Sequence, residues 1–102
     1  MSNYYQKLIL VLKTRYSSAY GLFLAKIKAA RNEAGLTQAQ LAAVLQKPQS
    51  FIAKVEAGER RIDIVEFIYL AAAMKIDPAK FISELEQNFP LRPRDKKLHK
   101  SK

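Results

Sequence analysis

The sequence predicts an all-α domain of five helices at residues 18–89, with an N-terminal extension of strand or helix before it and a basic tail after it. Apolar residues between about Tyr20 and Phe89 recur every three or four positions, and no stretch there alternates as a half-buried strand does. Four of the helix starts carry an N-cap residue or a proline. A chain of 102 residues is long enough for one modest core and too short for two.

The charge of the chain is concentrated at its two ends. The whole chain carries a net charge of +9. Residues 1–35 hold six basic side chains and one acidic, residues 36–91 hold six and seven, and residues 92–102 hold six and one. Basic arms beside a nearly neutral centre favour a polyanionic partner, although a tail that only aids solubility has the same composition.

Neither a disulfide framework nor a membrane span is predicted. The chain has no cysteine, which fits a reducing compartment. Its longest apolar run, Leu8–Leu12, is far shorter than the ~20 residues of a spanning helix, and no signal-peptide cleavage pattern follows it. We therefore expect a cytoplasmic protein that does not associate with a membrane.

The first predicted helix covers residues 19–34. One face of it carries the residues at helical spacing, namely Tyr20, Leu24, Ile27, Arg31 and Ala34. Ser17 or Ser18 is placed to cap its start, and Gly35 suits the left-handed position past its end.

Three later helices begin with the same design, a polar N-cap preceded by an apolar residue that can pack on the first turn. Thr37 with Gln40 and Asp63 with Glu66 form capping boxes, and Asp77 precedes a proline. The packing pairs are Leu36 with Leu41, Ile62 with Phe67 and Ile76 with Phe81. The resulting helices span residues 38–45, 64–74 and 78–88, and each cap is worth roughly 1 kcal/mol.

The remaining helix starts at Pro48, which is tolerated only in a first turn, and runs to residue 56 before Gly58. With the helix before it, it forms a crossed pair. We expect the inward side chains of the pair to be Leu41, Val44, Leu45, Ile52 and Val55, with Ala42 at the closest approach. The outward face then carries Gln49, Ser50, Ala53 and Lys54. Glutamine can pair with adenine, serine with several bases, and lysine with guanine or a phosphate.

Residues 18–88 resemble the Cro and phage-repressor family of helix-turn-helix domains, also called the XRE family. The elements that match in order are Arg31, residues 34–38, residues 41–42, residues 48–50, Ile52, Glu56, Gly58, Arg60 and the apolar helix at 65–74. The resemblance implies a five-helix lambda-repressor-like fold and a transcriptional regulator, most simply a repressor, that binds double-stranded DNA as a homodimer. The helix that starts near Pro48 would enter the major groove.

The resemblance also implies a role for each matching residue. Gln38 should bind a phosphate oxygen and brace the next helix. The residues expected against base edges are Gln49, Ser50 and Lys54. Phe51 can contact a thymine methyl or pack under its neighbours, and Pro48 is expected to contact DNA at the start of the helix. Lys47, Arg60 and Arg61 should contact phosphates. Arg31 and Glu56 should form a structural ion pair.

The sequence departs from the family at the corner between the two helices. The family usually has glycine where this chain has Gln46. A left-handed backbone there would cost a non-glycine residue roughly 1 kcal/mol or more.

Catalysis is not predicted, and no cofactor or metal is expected. His99 is the one histidine, and it lies in the basic tail away from any acidic cluster. Without a histidine or cysteine inside the folded domain, no catalytic triad can be assembled, and the three glycines form no phosphate-binding loop.

The two ends leave alternatives open. Residues 1–17 contain Tyr4, Tyr5 and Leu8–Leu12, which can cover the core of their own chain or contact a second copy. Residues 90–102 are expected to be disordered. An antitoxin-like or adaptor protein, whose main partner is another (toxin-like) protein, is the alternative function. A charge-only nucleic-acid binder is a second one.

Overall fold

Five helices and no strand make up residues 19–89, the part of the chain that this computed structural model describes. Within this range, α1 covers residues 19–33, and it is followed by α2 (Gln38–Val44), α3 (Gln49–Glu56), α4 (Ile64–Ala73) and α5 (Pro78–Gln87). The all-α prediction is therefore confirmed. The predicted extension at 1–17, the caps Ser17 and Ser18, and the tail at 90–102 lie outside the described residues.

The predicted caps form as expected. Thr37 accepts from the backbone of Gln40, whose side chain accepts from the Thr37 amide, and Asp63 and Glu66 repeat this reciprocal pair at α4. Asp77 caps α5 by accepting from two backbone amides. Pro48 is the exception. It stands at the N-cap of α3 in an extended conformation and not in the first helical turn, and it makes no side-chain cap.

Four helices end in the same hydrogen-bonded turn. After α1, α2, α3 and α4, the amides of two consecutive residues reach back to carbonyls of the last turn, as in a Schellman motif. The left-handed position of this turn is occupied by Gly35, Gln46, Gly58 and Lys75, with φ between 58° and 78°. Gln46 therefore has the strained conformation that the sequence analysis considered, and Lys75 has it as well.

The core lies between α1, the α2–α3 pair and the last two helices. Its buried apolar side chains include Ile27, Leu41, Ile52, Phe67, Leu70, Met74 and Phe81. Phe23, Phe67 and Phe81 contact one another with ring centroids 5.0–6.0 Å apart, which fastens α1 to α4 and α5. An ion pair between Lys26 and Glu84, 2.8 Å long, joins α1 to α5 at the surface.

One predicted core position is wrong, and one residue of the predicted α1 face lies outside the helix. Val44 is exposed, because it is the last residue of α2 and lies at the edge of the helix pair. Ala34 is exposed because it belongs to the turn after α1. Ala42 is buried as predicted, and α2 and α3 pack directly on each other. No helix within residues 19–89 has both the length and the hydropathy needed to span a membrane.

Candidate nucleic-acid interface

The helix pair is anchored by an ion pair between α1 and α3. The Arg31 guanidinium donates to both carboxylate oxygens of Glu56, at 2.6 and 3.1 Å, and to the carbonyl of Leu36 at 2.9 Å. Both side chains are less than 10% exposed. This geometry is bidentate and leaves the charges well paired, so the contact holds the end of α3 in a fixed orientation.

The pKa values of both members of this pair are shifted toward the charged forms. The hydrogen bond with Glu56 raises the pKa of Arg31 more than burial lowers it. Burial raises the pKa of Glu56, but the hydrogen bonds from Arg31 and Gln38 and the charge of Arg31 together outweigh burial, so its pKa lies below the ordinary value. The pair is consequently charged at neutral pH.

Gln38 connects this buried pair to the start of α3. Its Nε2 donates to Glu56 Oε1 at 3.0 Å, and its Oε1 accepts from Gln49 Nε2 at 3.4 Å. A carboxylate can only accept, so the contact with Glu56 determines which end of the Gln38 amide faces Gln49. Gln38 was expected to brace α3, and its side chain forms hydrogen bonds with both Glu56 and Gln49.

The start of α3 is open to solvent on its outward side. Pro48, Gln49, Ser50 and Lys54 are exposed, and Ile52 and Val55 are buried beneath them. The amides at the N-terminus of α3 have no side-chain cap. The exposed side of α3 thus presents the amide of Gln49, the hydroxyl of Ser50 and the ammonium group of Lys54.

Phe51 is half-buried and carries two cations on its ring. Lys47 Nζ lies 5.4 Å and Arg60 Cζ 4.7 Å from the ring centroid, both within cation–π range. Phe51 therefore packs among its neighbours, which is one of the two roles that the sequence left open for it.

Arg60 is held in place from the other side by α4. Its two terminal nitrogens donate to the two oxygens of Glu66 at 3.0 and 2.8 Å. The hydrogen bond raises the pKa of Arg60 and lowers that of Glu66. The sequence did not predict this contact, although Glu66 belongs to a predicted capping box and Arg60 precedes it by six residues. A side-chain pair across a turn has no fixed spacing that would reveal it.

Arg61 lies over the ring of Tyr20 in α1, 4.2 Å from its centroid. The expected phosphate contacts Lys47, Arg60 and Arg61 thus all rest on aromatic side chains of the domain. Within residues 19–89, no group of His, Cys, Asp and Glu residues is arranged to hold a metal ion.

Comparison with known proteins gives the family. Residues 27–81 match the model of the helix-turn-helix family. A solved structure, an XRE-family like protein from Pseudomonas syringae pv. tomato str. DC3000, is 40% identical, with a TM-score of 0.75 over 78% of this chain and 98% of that one. No curated protein matches the chain. The resemblance drawn from the sequence is confirmed: the chain belongs to the XRE-type helix-turn-helix family of DNA-binding regulators, a regulatory family and not an enzymatic one.

Proposed function

We propose that the protein is a sequence-specific regulator, most simply a repressor, that reads the major groove of duplex DNA with α3. The observation that supports this most is the hydrogen-bonded path from the buried Arg31–Glu56 pair through Gln38 to Gln49. Such a path pre-organises an exposed side chain, and pre-organisation is what base recognition requires.

The path also favours a particular base. One Nε2 hydrogen of Gln49 faces Gln38, which leaves its Oε1 and its second Nε2 hydrogen for a partner. These two groups match the N6 donor and N7 acceptor of adenine in the major groove. We therefore propose adenine opposite Gln49, with Ser50 and Lys54 reading neighbouring positions.

Phosphate contacts would set the register of the helix on the duplex. One Nε2 hydrogen of Gln38 is directed at Glu56, so the second is available for a phosphate oxygen. Lys47, Arg60 and Arg61, held on aromatic rings, supply the cations for the same backbone. Two copies on a partly palindromic operator would place their α3 helices roughly 34 Å apart.

Because a regulator of this kind acts on the nucleoid, we propose a cytoplasmic location.

Selection from a pool of random duplexes tests the proposal. The wild-type chain should enrich one site with two-fold symmetry. Gln49→Ala should lose about 1–3 kcal/mol on that site and relax the preference at one position of each half-site. Gln87→Ala, which changes an exposed glutamine at the end of α5, is the matched control and should bind like wild type. Unchanged affinity and preference in Gln49→Ala would contradict the proposal.

The selection and a purification from the native host separate the alternatives. A binder that uses charge alone would enrich no site, because phosphates carry no sequence information. An antitoxin-like or adaptor protein would bind its own operator and also form a stoichiometric complex with another protein of its host, so purification from the native host would identify it.

A further inference from the structure

Glu66 on α4 belongs to two hydrogen-bonded groups at once. Its Oε1 accepts from the backbone amide of Asp63 at 2.9 Å, and its own amide donates to the Asp63 carboxylate at 2.7 Å. The same carboxylate accepts from Arg60 Nη1 at 3.0 Å through Oε1 and from Arg60 Nη2 at 2.8 Å through Oε2. The capping box therefore orients the carboxylate that holds Arg60, and the guanidinium has a defined position relative to α4.

Other contacts fix Arg60 relative to α3. Its Cζ lies 4.7 Å from the centroid of the Phe51 ring, and Phe51 packs against the core from α3. Its Nη1 also donates to the carbonyl of Arg61 at 2.8 Å. A long side chain normally loses its rotamer freedom when it binds a partner, and that loss weakens binding. Arg60 is already ordered by the domain before any DNA is present.

The hydrogen bonds of Arg60 leave one edge of its guanidinium open. Of its five N–H donors, three are directed at Glu66 and at the Arg61 carbonyl. The other two, on Nε and Nη2, lie side by side on one edge of the plane, and no acceptor within residues 19–89 is hydrogen-bonded to them. Arg31 uses this same edge to bind both oxygens of Glu56. In Arg60, whose side chain is 41% exposed, the edge can take two oxygens of one phosphate.

We propose that Glu66 is a positioning residue for phosphate binding. It holds Arg60 against Phe51 with the Nε–Nη2 edge free for a phosphate of the DNA backbone beside α3, and it acts through Arg60 without touching the DNA itself. This inference rests on the proposed function and deepens it, because it names a residue outside the α2–α3 pair that sets how Arg60 meets the backbone.

Charge and position predict opposite effects of Glu66 on DNA affinity. A carboxylate repels the phosphates of DNA, so a role through charge alone means that neutralising Glu66 strengthens binding. A positioning role means the reverse. Neutralising Glu66 releases the guanidinium of Arg60, and binding must then order that side chain at a cost in affinity. The direction of the change therefore distinguishes the two roles.

The test is the affinity of Glu66→Gln for a duplex of fixed, arbitrary sequence, measured by fluorescence anisotropy. Glutamine also suits this position of a capping box, so the start of α4 is retained, and circular dichroism checks the fold. The dissociation constant should rise about two- to tenfold. Glu84→Gln is the matched control, because it makes the same charge change in the ion pair with Lys26 that joins α1 to α5. It should bind at least as tightly as wild type. Unchanged or tighter binding by Glu66→Gln would overturn the proposal.

Variants of Arg60 test whether Glu66 acts through it. In an Arg60→Gln background, Glu66→Gln should have no further effect on the dissociation constant. Arg60→Gln alone should make the slope of log K against log salt shallower by about 0.9, as expected for one lost phosphate contact. Arg60→Lys keeps the charge but lacks the planar fork, so it should also bind more weakly than wild type. If Glu66→Gln weakened binding equally with and without Arg60, its role would be structural only and the proposal would be wrong.

The two proposals fail in different experiments. If Gln49→Ala relaxes base preference while Glu66→Gln binds like wild type, α3 reads DNA and the positioning role of Glu66 is wrong. If Glu66→Gln weakens binding through Arg60 while the random pool yields no enriched site, the phosphate contact stands and the sequence-specific function is wrong.

Discussion

At the scale of single residues, Glu56 connects the buried ion pair to the start of α3. It accepts from Arg31 with both oxygens and from Gln38 with one of them, and its side chain is 5% exposed. One carboxylate therefore fastens α3 to α1 and orients the amide that meets Gln49. A buried ion pair contributes little to stability relative to apolar residues of the same size, but its fixed geometry gives Gln49 a defined position.

Removing one partner of the pair should be strongly destabilising. Arg31→Met leaves the Glu56 carboxylate buried and without its cation, so we expect the free energy of unfolding to fall by about 3–5 kcal/mol in urea titrations. The double variant Arg31→Met with Glu56→Leu buries no charge and should recover most of that loss. A double variant no more stable than Arg31→Met alone would contradict a charge-pair explanation.

The same ion pair should make the free energy of unfolding depend on pH. The pKa of Glu56 is lowered in the folded chain, so its contribution is fully present above the ordinary glutamate value of about 4.3 and is lost as the pH falls through the lower folded value. Glu66 has a lowered pKa for a similar reason. The double variant should therefore lose less stability than wild type between pH 5 and pH 3, and an identical loss in both chains would exclude Glu56 as a cause.

At the scale of helices and their connections, the turn that ends four helices organises the fold. It ends each helix within a few residues and requires one left-handed residue each time. Glycine occupies that position after α1 and α3, whereas Gln46 and Lys75 occupy it after α2 and α4 with φ of 58° and 60°. The helix-turn-helix corner is thus formed against the local preference of its central residue, and the packing of Leu41 and Ile52 in the core overrides that preference.

Replacing the central residue of this corner should stabilise the protein. Gln46→Gly removes the penalty of a side chain at positive φ, and we expect the free energy of unfolding to rise by up to about 1 kcal/mol. Ala43→Gly, at an exposed position inside α2, is the control and should lower it by about 1 kcal/mol. Thermal or urea unfolding measures both, and a Gln46→Gly variant less stable than wild type would show that the side chain makes a compensating contact.

At the scale of the whole molecule, the helix-turn-helix pair and most of the net positive charge lie in different parts of the chain. The region with the helix-turn-helix pair is nearly neutral, with six basic and seven acidic residues between 36 and 91, and most of the net charge of +9 belongs to the two ends. We propose that α3 supplies selectivity and that the basic ends supply affinity that does not depend on sequence.

Neutralising the C-terminal basic cluster should weaken binding to all duplexes alike. The change replaces by serine the basic residues Arg92, Arg94, Lys96, Lys97, Lys100 and Lys102. Because each neutralised phosphate contributes about −0.9 to the slope of log K against log salt, the slope should become shallower while the preferred site stays the same. Fluorescence anisotropy over a range of salt concentrations measures both quantities. An unchanged slope would remove the tail from the binding mechanism.

Within residues 19–89, the sequence by itself determined the number, order and type of the helices and the exposure of Gln49, Ser50 and Lys54 on α3. Capping boxes, the proline before α3 and the apolar spacing act over a few residues, so Thr37, Asp63 and Gly58 could be assigned without a fold. The tertiary structure alone decided that Val44 is exposed, that Lys75 is left-handed and that Arg60 pairs with Glu66. These outcomes depend on which helices meet and at what angle, which is set by packing between residues far apart in the chain.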